Sequence, residues 1–166
     1  ARITGILSEQ GILPTLNFRE GSFEGAEALS GETMSKTILV RRGTCHGCFV
    51  RCKREVQVTG PYSVDPSYGG PEYETVAAFG STCGIDDLKA ISYANQLCNA
   101  YGLDTISTGG LISFAMECYE NGILKKGDTG GMDLRFGNVE AMIRMVEMIG
   151  KREGLGDLLA DGISSA

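Results

Sequence analysis

Hydrophobic residues recur every three or four positions through much of the second half of the chain. This spacing places them on one face of a helix, and polar or glycine-containing stretches separate the successive segments. Asp86 and Asn138 are suitable N-caps, and Gly102 followed by Leu103 matches a left-handed helix end. We therefore predict four helices, which cover residues 86–101, residues 105–120, a segment that starts after residue 138, and residues 155–162.

The first half of the chain shows weaker patterns. Ser22 can cap a helix over residues 23–34, although two glycines lower its helix propensity. Three apolar residues, 38–40, lead into a cysteine-containing loop, and the alternation over 55–58 predicts a short strand after it. Residues 59–71 hold three of the four prolines and are predicted to form a loop. The expected fold class is mainly α, a helical domain with a short irregular or β hairpin near the cysteine loop.

Composition narrows the possible classes of function. With 166 residues the chain is long enough for one hydrophobic core, so we predict a single helical domain over residues 1–166. The net charge of −6 and the lack of a long basic run argue against nucleic-acid binding. No apolar run is long enough to span a bilayer, so no membrane association is expected. A start at Ala1 without methionine and an abrupt end at Ala166 lead us to expect a piece of a longer enzyme.

The strongest chemical signal is a C-x2-C-x3-C run formed by Cys45, Cys48 and Cys52. Thiolates are soft ligands that favour zinc, Cu(I) and iron–sulfur clusters, and these gaps resemble those of bacterial cluster-binding runs. A [4Fe–4S] cluster is the preferred interpretation, zinc is the second, and a metal-free trio is the third. The other three cysteines are scattered, which does not indicate a disulfide framework and favours a reducing cytoplasm.

Two further segments combine polar side chains with a predicted helix start. Residues 99–110 join two helices and contain Asp104, which either caps the second helix or accepts a hydrogen bond from a heterocyclic ligand. Residues 70–75 place Glu72 and Glu74 before an apolar helix. Acidic residues are common there because they complement the helix dipole. A glutamate close to a buried metal centre would instead be a candidate general acid or base.

Together, segments 45–52, 70–75 and 99–109 resemble the aldehyde:ferredoxin oxidoreductase family of tungsten, and sometimes molybdenum, pterin enzymes. The three segments occur in the family's order and with similar separations. The resemblance extends over residues 20–163, and the combination of motifs is specific even where each motif alone is not.

The resemblance implies a metal-binding role for the cysteine run. In the family this run supplies three ligands of a [4Fe–4S] cluster, which corresponds here to Cys45, Cys48 and Cys52 in a cluster loop over residues 41–58. The family's fourth cysteine lies in a D-x-x-G-L-C motif much further along the chain. This sequence does not contain that motif, so the fourth ligand is expected outside it.

The resemblance also implies a cofactor-facing role for the junction over residues 99–110. The family's first D-x-x-G-L-[CD] motif, which helps to hold one of two pterins, corresponds to Asn99, Gly102, Leu103 and Asp104. Asn99 stands where the family has aspartate, so a hydrogen-bonding group is kept while its charge is lost. Asp104 is therefore the stronger candidate for a contact with the pterin.

A catalytic glutamate near the tungsten is a further implication of the resemblance. Glu72 is the first candidate for this residue and Glu74 is the second. In the family a histidine usually assists substrate chemistry, but the only histidine here, His46, lies inside the cysteine loop. The chain would thus contribute the electron-transfer cluster and part of a pterin-binding surface to a larger catalyst.

The full enzyme implied by the resemblance oxidises an aldehyde to a carboxylic acid at a tungsten or molybdenum bis-pterin and passes electrons through the cluster to ferredoxin. Its expected partners are ferredoxin, a small aldehyde and the remainder of the enzyme, and a homodimer is expected from the family alone. Two alternatives belong to other classes of function. One is an electron-transfer module without substrate chemistry, and the other is a structural zinc-binding module that would take a fourth ligand from His46, Cys83 or another side chain.

Overall fold

Helices make up most of the regular structure. The computed structural model of the chain describes residues 3–162, and within this range it contains seven α-helices and one two-stranded antiparallel sheet. In chain order the elements are α1 (Ile3–Glu9), α2 (Gly31–Thr37), β1 (Leu39–Gly43), β2 (Lys53–Val56), α3 (Tyr73–Phe79), α4 (Leu88–Tyr101), α5 (Thr105–Glu120), α6 (Val139–Lys151) and α7 (Leu155–Ala160). The prediction of a mainly α fold with a short β hairpin near the cysteine loop is confirmed. None of the helices between residues 3 and 162 is both long and apolar enough to cross a lipid bilayer.

The hydrophobic core lies between helices α3, α4, α5 and α6. Helix α3 packs along α5, α4 packs on α6, and α7 folds back onto α6. Phe79, Ile91 and Ile112 are fully buried at the centre, and Met142 and Met145 of α6 close it from the other side. Methionine side chains adapt to irregular apolar gaps, so these two act as core residues. The interior is thus formed by the periodic apolar positions that the sequence displays.

The long helices begin and end as local capping chemistry requires. Asp87 caps α4, because its carboxylate accepts hydrogen bonds from two N–H groups of the first turn at 2.9 and 3.1 Å. The predicted cap, Asp86, is wrong by one residue. Gly102 ends α4 in the left-handed region with a φ of 71°, and the Leu103 N–H donates to the carbonyl of Cys98 at 2.8 Å. The ends of α5 and the start of α6 after its Asn138 cap also agree with the prediction.

The predicted helix over residues 23–34 is wrong. A short 3-10 turn (Glu24–Glu27) and helix α2 replace it. Ser30, rather than Ser22, caps α2 by accepting a hydrogen bond from a backbone N–H at 3.1 Å. Gly25 explains part of the break, because a Cβ atom there would lie 2.5 Å from the Cβ of Asp86. Close approach to another segment therefore takes priority over helix continuity.

The cysteine loop connects the two strands of the hairpin. Strands β1 and β2 pair antiparallel, with Arg41 opposite Glu55 and Arg42 opposite Arg54. The predicted strand over 55–58 lies two residues earlier, and residue 58 instead forms an isolated bridge with Val64. Residues 44–52 are therefore held at both ends by the sheet, as a loop that projects from the helical body.

Candidate functional site

The three segments that the sequence singles out are joined by side-chain contacts. Arg54 on β2, at the base of the cysteine loop, forms an ion pair with Glu72 just before α3. Thr75, in the first turn of α3, shares a hydrogen bond of 2.8 Å between its hydroxyl and that of Thr105 in the first turn of α5. The cysteine hairpin, segment 70–75 and the α4–α5 junction thus form one continuous region, although they are well separated along the chain.

The cysteine loop presents three free thiols near the surface. Cys45 and Cys52 are exposed and Cys48 is half-buried. The Cys48 N–H donates to the carbonyl of Cys45 at 3.1 Å, and the chain turns at Gly47 and Arg51, which have φ angles of 70° and 55°. Three thiols in one short loop are the donor type that iron–sulfur clusters and zinc require.

The donors of this loop suit a soft metal group, but their side chains do not converge on one point. Between residues 3 and 162 no three His, Cys, Asp or Glu side chains are arranged so that they could hold a metal ion. Cys45, Cys48 and Cys52 therefore match a cluster in chemistry, and binding would require their thiols to turn toward a common centre.

The remaining cysteines are poorly suited to complete a metal site with the loop. Cys83 and Cys98 are fully buried in the core, and the Cys83 thiol donates to the carbonyl of Ala78 at 3.3 Å. Burial raises the pKa of Cys83, and it raises the pKa of Cys98 to about 12. Metals bind the thiolate form, so neither residue is an apt ligand. Cys118 is half-buried on α5, and burial followed by the nearby Glu117 charge raises its pKa as well.

The two candidate glutamates have different surroundings. Glu72 occupies the cap position of α3 without capping it, and the Arg54 guanidinium holds its carboxylate toward the hairpin. Glu74 is exposed and lines a cavity of about 260 Å³ between α3 and α5, which also contains Tyr73 and Ile106. One carboxylate is therefore committed to an ion pair, and the other faces a largely apolar cavity.

The four junction residues hold the turn between α4 and α5. Asn99 donates its amide to a carbonyl one turn earlier in α4 at 2.8 Å, and Gly102 and Leu103 close the helix end. Asp104 caps α5 by accepting a hydrogen bond from the Ser107 N–H at 2.7 Å. Asn99 and Asp104 are nevertheless exposed, so a rigid backbone presents both polar side chains at the surface.

The charge of the Asp104 carboxylate stabilises helix α5. Hydrogen bonds from the Ser107 hydroxyl and then from its backbone N–H hold the pKa of Asp104 below its ordinary value of 3.8. A lowered folded-state pKa contributes stability that is present above the unfolded pKa and is lost as pH falls through the folded pKa.

We expect Asp104→Ala to destabilise the first turn of α5 by about 1 kcal/mol at pH 7, the usual cost of losing an N-cap. Hydrogen exchange of the α5 amides in the full-length protein measures this opening free energy. The difference from the parent protein should stay constant from pH 7 to 5 and shrink below about pH 4. Asp104→Asn keeps the acceptor but also removes the titrating charge, so its smaller effect should shrink over the same pH range, and the difference between the Ala and Asn variants should not vary with pH. A pH-independent effect of Asp104→Ala would contradict the role of the charge.

The contacts made by several residues of this region were not anticipated from the sequence. Arg54, Thr75 and Thr105 make the contacts that join the segments, and Gly109 of α5 lies in close contact with Ala78 of α3. Thr75 and Gly109 are the last residues of the motifs over 70–75 and 99–109, and this position was the sequence signal that could have identified them. No sequence signal distinguished Arg54, because several basic residues flank the cysteine loop.

Comparisons with known proteins identify the family of this chain. The family described as "Aldehyde ferredoxin oxidoreductase, domains 2 & 3" matches residues 1–166. The tungsten-containing aldehyde ferredoxin oxidoreductase of Pyrococcus abyssi is 43% identical over 168 residues, which covers 98% of this chain and 26% of that protein. The aliphatic sulfonate oxidoreductase, WOR-like subunit, of Pyrococcus furiosus is 33% identical over 150 residues, with 90% of this chain and 24% of that protein covered.

A solved structure shows the same fold. The active site complex BamBC of benzoyl coenzyme A reductase with 1,5-dienoyl-CoA superposes with a TM-score of 0.73 at 23% identity, covering 99% of this chain and 24% of that one. This chain thus spans about a quarter of the length of the curated relatives that it matches. Since the family's sequence pattern matches the whole chain, the chain belongs to the aldehyde ferredoxin oxidoreductase family.

Proposed function

We propose that this chain is the cluster-binding and pterin-contacting helical part of a tungsten-containing, or molybdenum-containing, oxidoreductase. The full enzyme oxidises a small aldehyde to a carboxylic acid and delivers the electrons to ferredoxin. The observation that supports this most directly is the pair of side-chain contacts that segment 70–75 makes, one from Glu72 to Arg54 of the cysteine hairpin and one from Thr75 to Thr105 of the helix junction. These two contacts bring a soft-metal donor loop and a polar helix junction to one region of the molecule.

Cys45, Cys48 and Cys52 would hold three irons of a [4Fe–4S] cluster, and the fourth ligand would come from the rest of the enzyme. When bound, the metal pterin supplies two-electron oxidation and the cluster relays electrons one at a time to the acceptor. The hairpin fixes both ends of the donor loop, so the three thiols can adjust without moving the strands. The six free thiols fit a reducing, cytoplasmic location.

The junction residues would form one edge of the pterin site. Gly102 and Leu103 fix the turn through backbone hydrogen bonds, so Asn99 and Asp104 are held in place before any ligand arrives. Prepositioned polar groups lose little conformational freedom when they bind a cofactor. Asp104 would accept from ring nitrogen donors, while Asn99 could both donate and accept.

Glu72 and Glu74 are the carboxylates proposed near the metal, and their different surroundings suit them to different roles. Glu72, paired with Arg54, would orient the region and supply fixed negative charge. Glu74 faces the cavity between α3 and α5 and would hold or move a proton at its carboxylate.

The proposed function is tested on the full-length protein prepared without oxygen. Metal analysis should give about four irons per chain together with tungsten or molybdenum. The dithionite-reduced sample should show a reduced-cluster signal by electron paramagnetic resonance, and an aldehyde should reduce a viologen dye. Zinc without iron or a group-six metal would contradict the proposal and favour a structural zinc module. If iron is present but there is neither a group-six metal nor dye reduction, the result would favour an electron-transfer module.

A further inference from the structure

Thr4 carries a buried hydroxyl group that makes no hydrogen bond to the described part of the chain. The residue lies in helix α1 and is only 3% exposed. Between residues 3 and 162, its Oγ1 atom has no hydrogen-bond partner. A hydroxyl that is buried without a partner loses its bonds to water and gains nothing in return, so buried hydroxyls are nearly always bonded to a protein group or to an ordered water. The surroundings of Thr4 are therefore informative.

Thr4 lines a small cavity that also reaches the Arg54–Glu72 ion pair. The cavity has a volume of about 30 Å³ and lies where α1, α2, β2 and the start of α3 meet. Thr4, Arg54 and Glu72 supply polar groups to its lining. Its apolar part is formed mainly by Leu29, Met34 and Val76. The unpaired hydroxyl and the ion pair thus share one cavity.

The size and the lining of this cavity suit a water molecule. A cavity must offer at least roughly 10–15 Å³ to hold one water, and that water needs two to four polar partners. A volume of about 30 Å³ with three polar side chains meets both conditions. The same volume is far below the roughly 300 Å³ at which small-molecule pockets begin, so an organic ligand does not fit.

The ion pair retains hydrogen-bonding capacity for such a water. The contact joins Nη1 of Arg54 to Oε2 of Glu72. A carboxylate accepts at both oxygens and a guanidinium donates from five N–H groups, so this contact leaves Oε1 of Glu72 and further N–H groups of Arg54 to other partners. A water in the cavity can therefore donate to Glu72 while it accepts from the Thr4 hydroxyl.

We propose that this cavity, here called the Thr4 cavity, binds an ordered water molecule that links Thr4 to the Arg54–Glu72 ion pair. The water accepts from the Thr4 hydroxyl and donates to Oε1 of Glu72. Thr4 is thus a positioning residue, which acts through the water to hold the Glu72 carboxylate beside the cysteine hairpin. The site is formed by this chain's own side chains, so it does not depend on the proposed function.

Thr4→Val tests the site because valine has the shape of threonine and lacks the hydroxyl. In the full-length protein this change should raise the opening equilibrium of the α1 amides by about 5-fold, since the water loses a partner. Hydrogen exchange measures this equilibrium. If the hydroxyl were simply unpaired, Thr4→Val would remove an unsatisfied polar group and would make opening rarer. That result would overturn the inference.

A double-mutant cycle with Glu72→Ala separates the water link from any other contact of Thr4 in the full-length protein. The effect of Thr4→Val should shrink toward no change in the Glu72→Ala background. Thr4→Ser, which keeps the hydroxyl, should open α1 to the same extent relative to Thr4→Ala only while Glu72 is present. Thr82→Val is the matched control, because the buried Thr82 hydroxyl donates directly to the Ala77 carbonyl at 2.7 Å. Its effect should be the same in both backgrounds.

A crystal structure of the full-length protein gives the direct observation. It should show a water within about 3.2 Å of both Thr4 Oγ1 and Glu72 Oε1. If Thr4 Oγ1 instead bonds directly to a protein group, or if Thr4→Val has equal effects with and without Glu72, the inference is overturned.

Discussion

Replacing Cys48 with serine in the full-length enzyme is expected to remove the cluster. Cys48 is the middle cysteine of the loop and the least exposed of the three, and serine offers a hard oxygen in place of a soft thiolate. Iron should fall from about four per chain to near zero, and the reduced-cluster resonance should disappear. Aldehyde-dependent reduction of ferredoxin should fall by more than the roughly 10–100-fold that follows loss of an outer-shell partner.

Cys118→Ser is the matched control for this experiment. It makes the same change of sulfur to oxygen, but at a half-buried position on α5 outside the cluster loop. Iron content and the resonance should both be retained. If Cys48→Ser kept the parent iron content, the cysteine run would not be the cluster site, and a zinc or metal-free interpretation would replace it.

The long helices were predictable because their signals are local. Apolar periodicity and a glycine at the end located α4 and α5, and Asn138 located the start of α6. The cap of α4 was misplaced because Asp86 and Asp87 are both suitable, and only the helix phase decides between them. Helix α1 was not predicted at all, since its seven residues are too few to show a clear period.

The chemistry of the candidate site was visible in the sequence, but its assembly was not. Cysteine spacing and the junction motif act over a few residues and can be recognised directly. The contacts that join them, Arg54 with Glu72 and Thr75 with Thr105, bridge 18 and 30 residues along the chain. Such pairings depend on how the helices pack, which local patterns do not determine.

The left-handed turn formed by Leu16, Asn17 and Phe18 could not be predicted from the sequence. Leu16 and Phe18 carry no preference for a left-handed backbone, and their conformation is imposed by hydrogen bonds to other segments. The sequence contains asparagine at the centre of the turn, where tolerance is greatest. That single cue does not distinguish this turn from an ordinary loop.

The second large effect is expected at Gly109, where α5 lies in close contact with α3. A Cβ atom there would lie 2.7 Å from the Cβ of Ala78 and 2.8 Å from its backbone carbon and oxygen. Backbone atoms cannot rotate away, so any side chain at this position must push the two helices apart. Gly109→Leu should therefore destabilise the α3–α5 packing by at least about 3 kcal/mol, the upper part of the range for overpacked cores.

Gly110→Leu changes the next residue of the same helix. It separates the effect of helix–helix contact on stability from the effect of helix propensity. Both variants replace a helical glycine, and both gain roughly 1 kcal/mol of intrinsic preference, but only residue 109 meets Ala78. Hydrogen exchange in the full-length protein should show that α3 and α5 open faster in Gly109→Leu than in the parent. In Gly110→Leu the opening of these helices should not be accelerated. Separation of the helices would also break the Thr75–Thr105 contact, so dye reduction with an aldehyde should fall much further in Gly109→Leu than in Gly110→Leu. Equal destabilisation of the two variants would contradict the view that this glycine is required by helix contact.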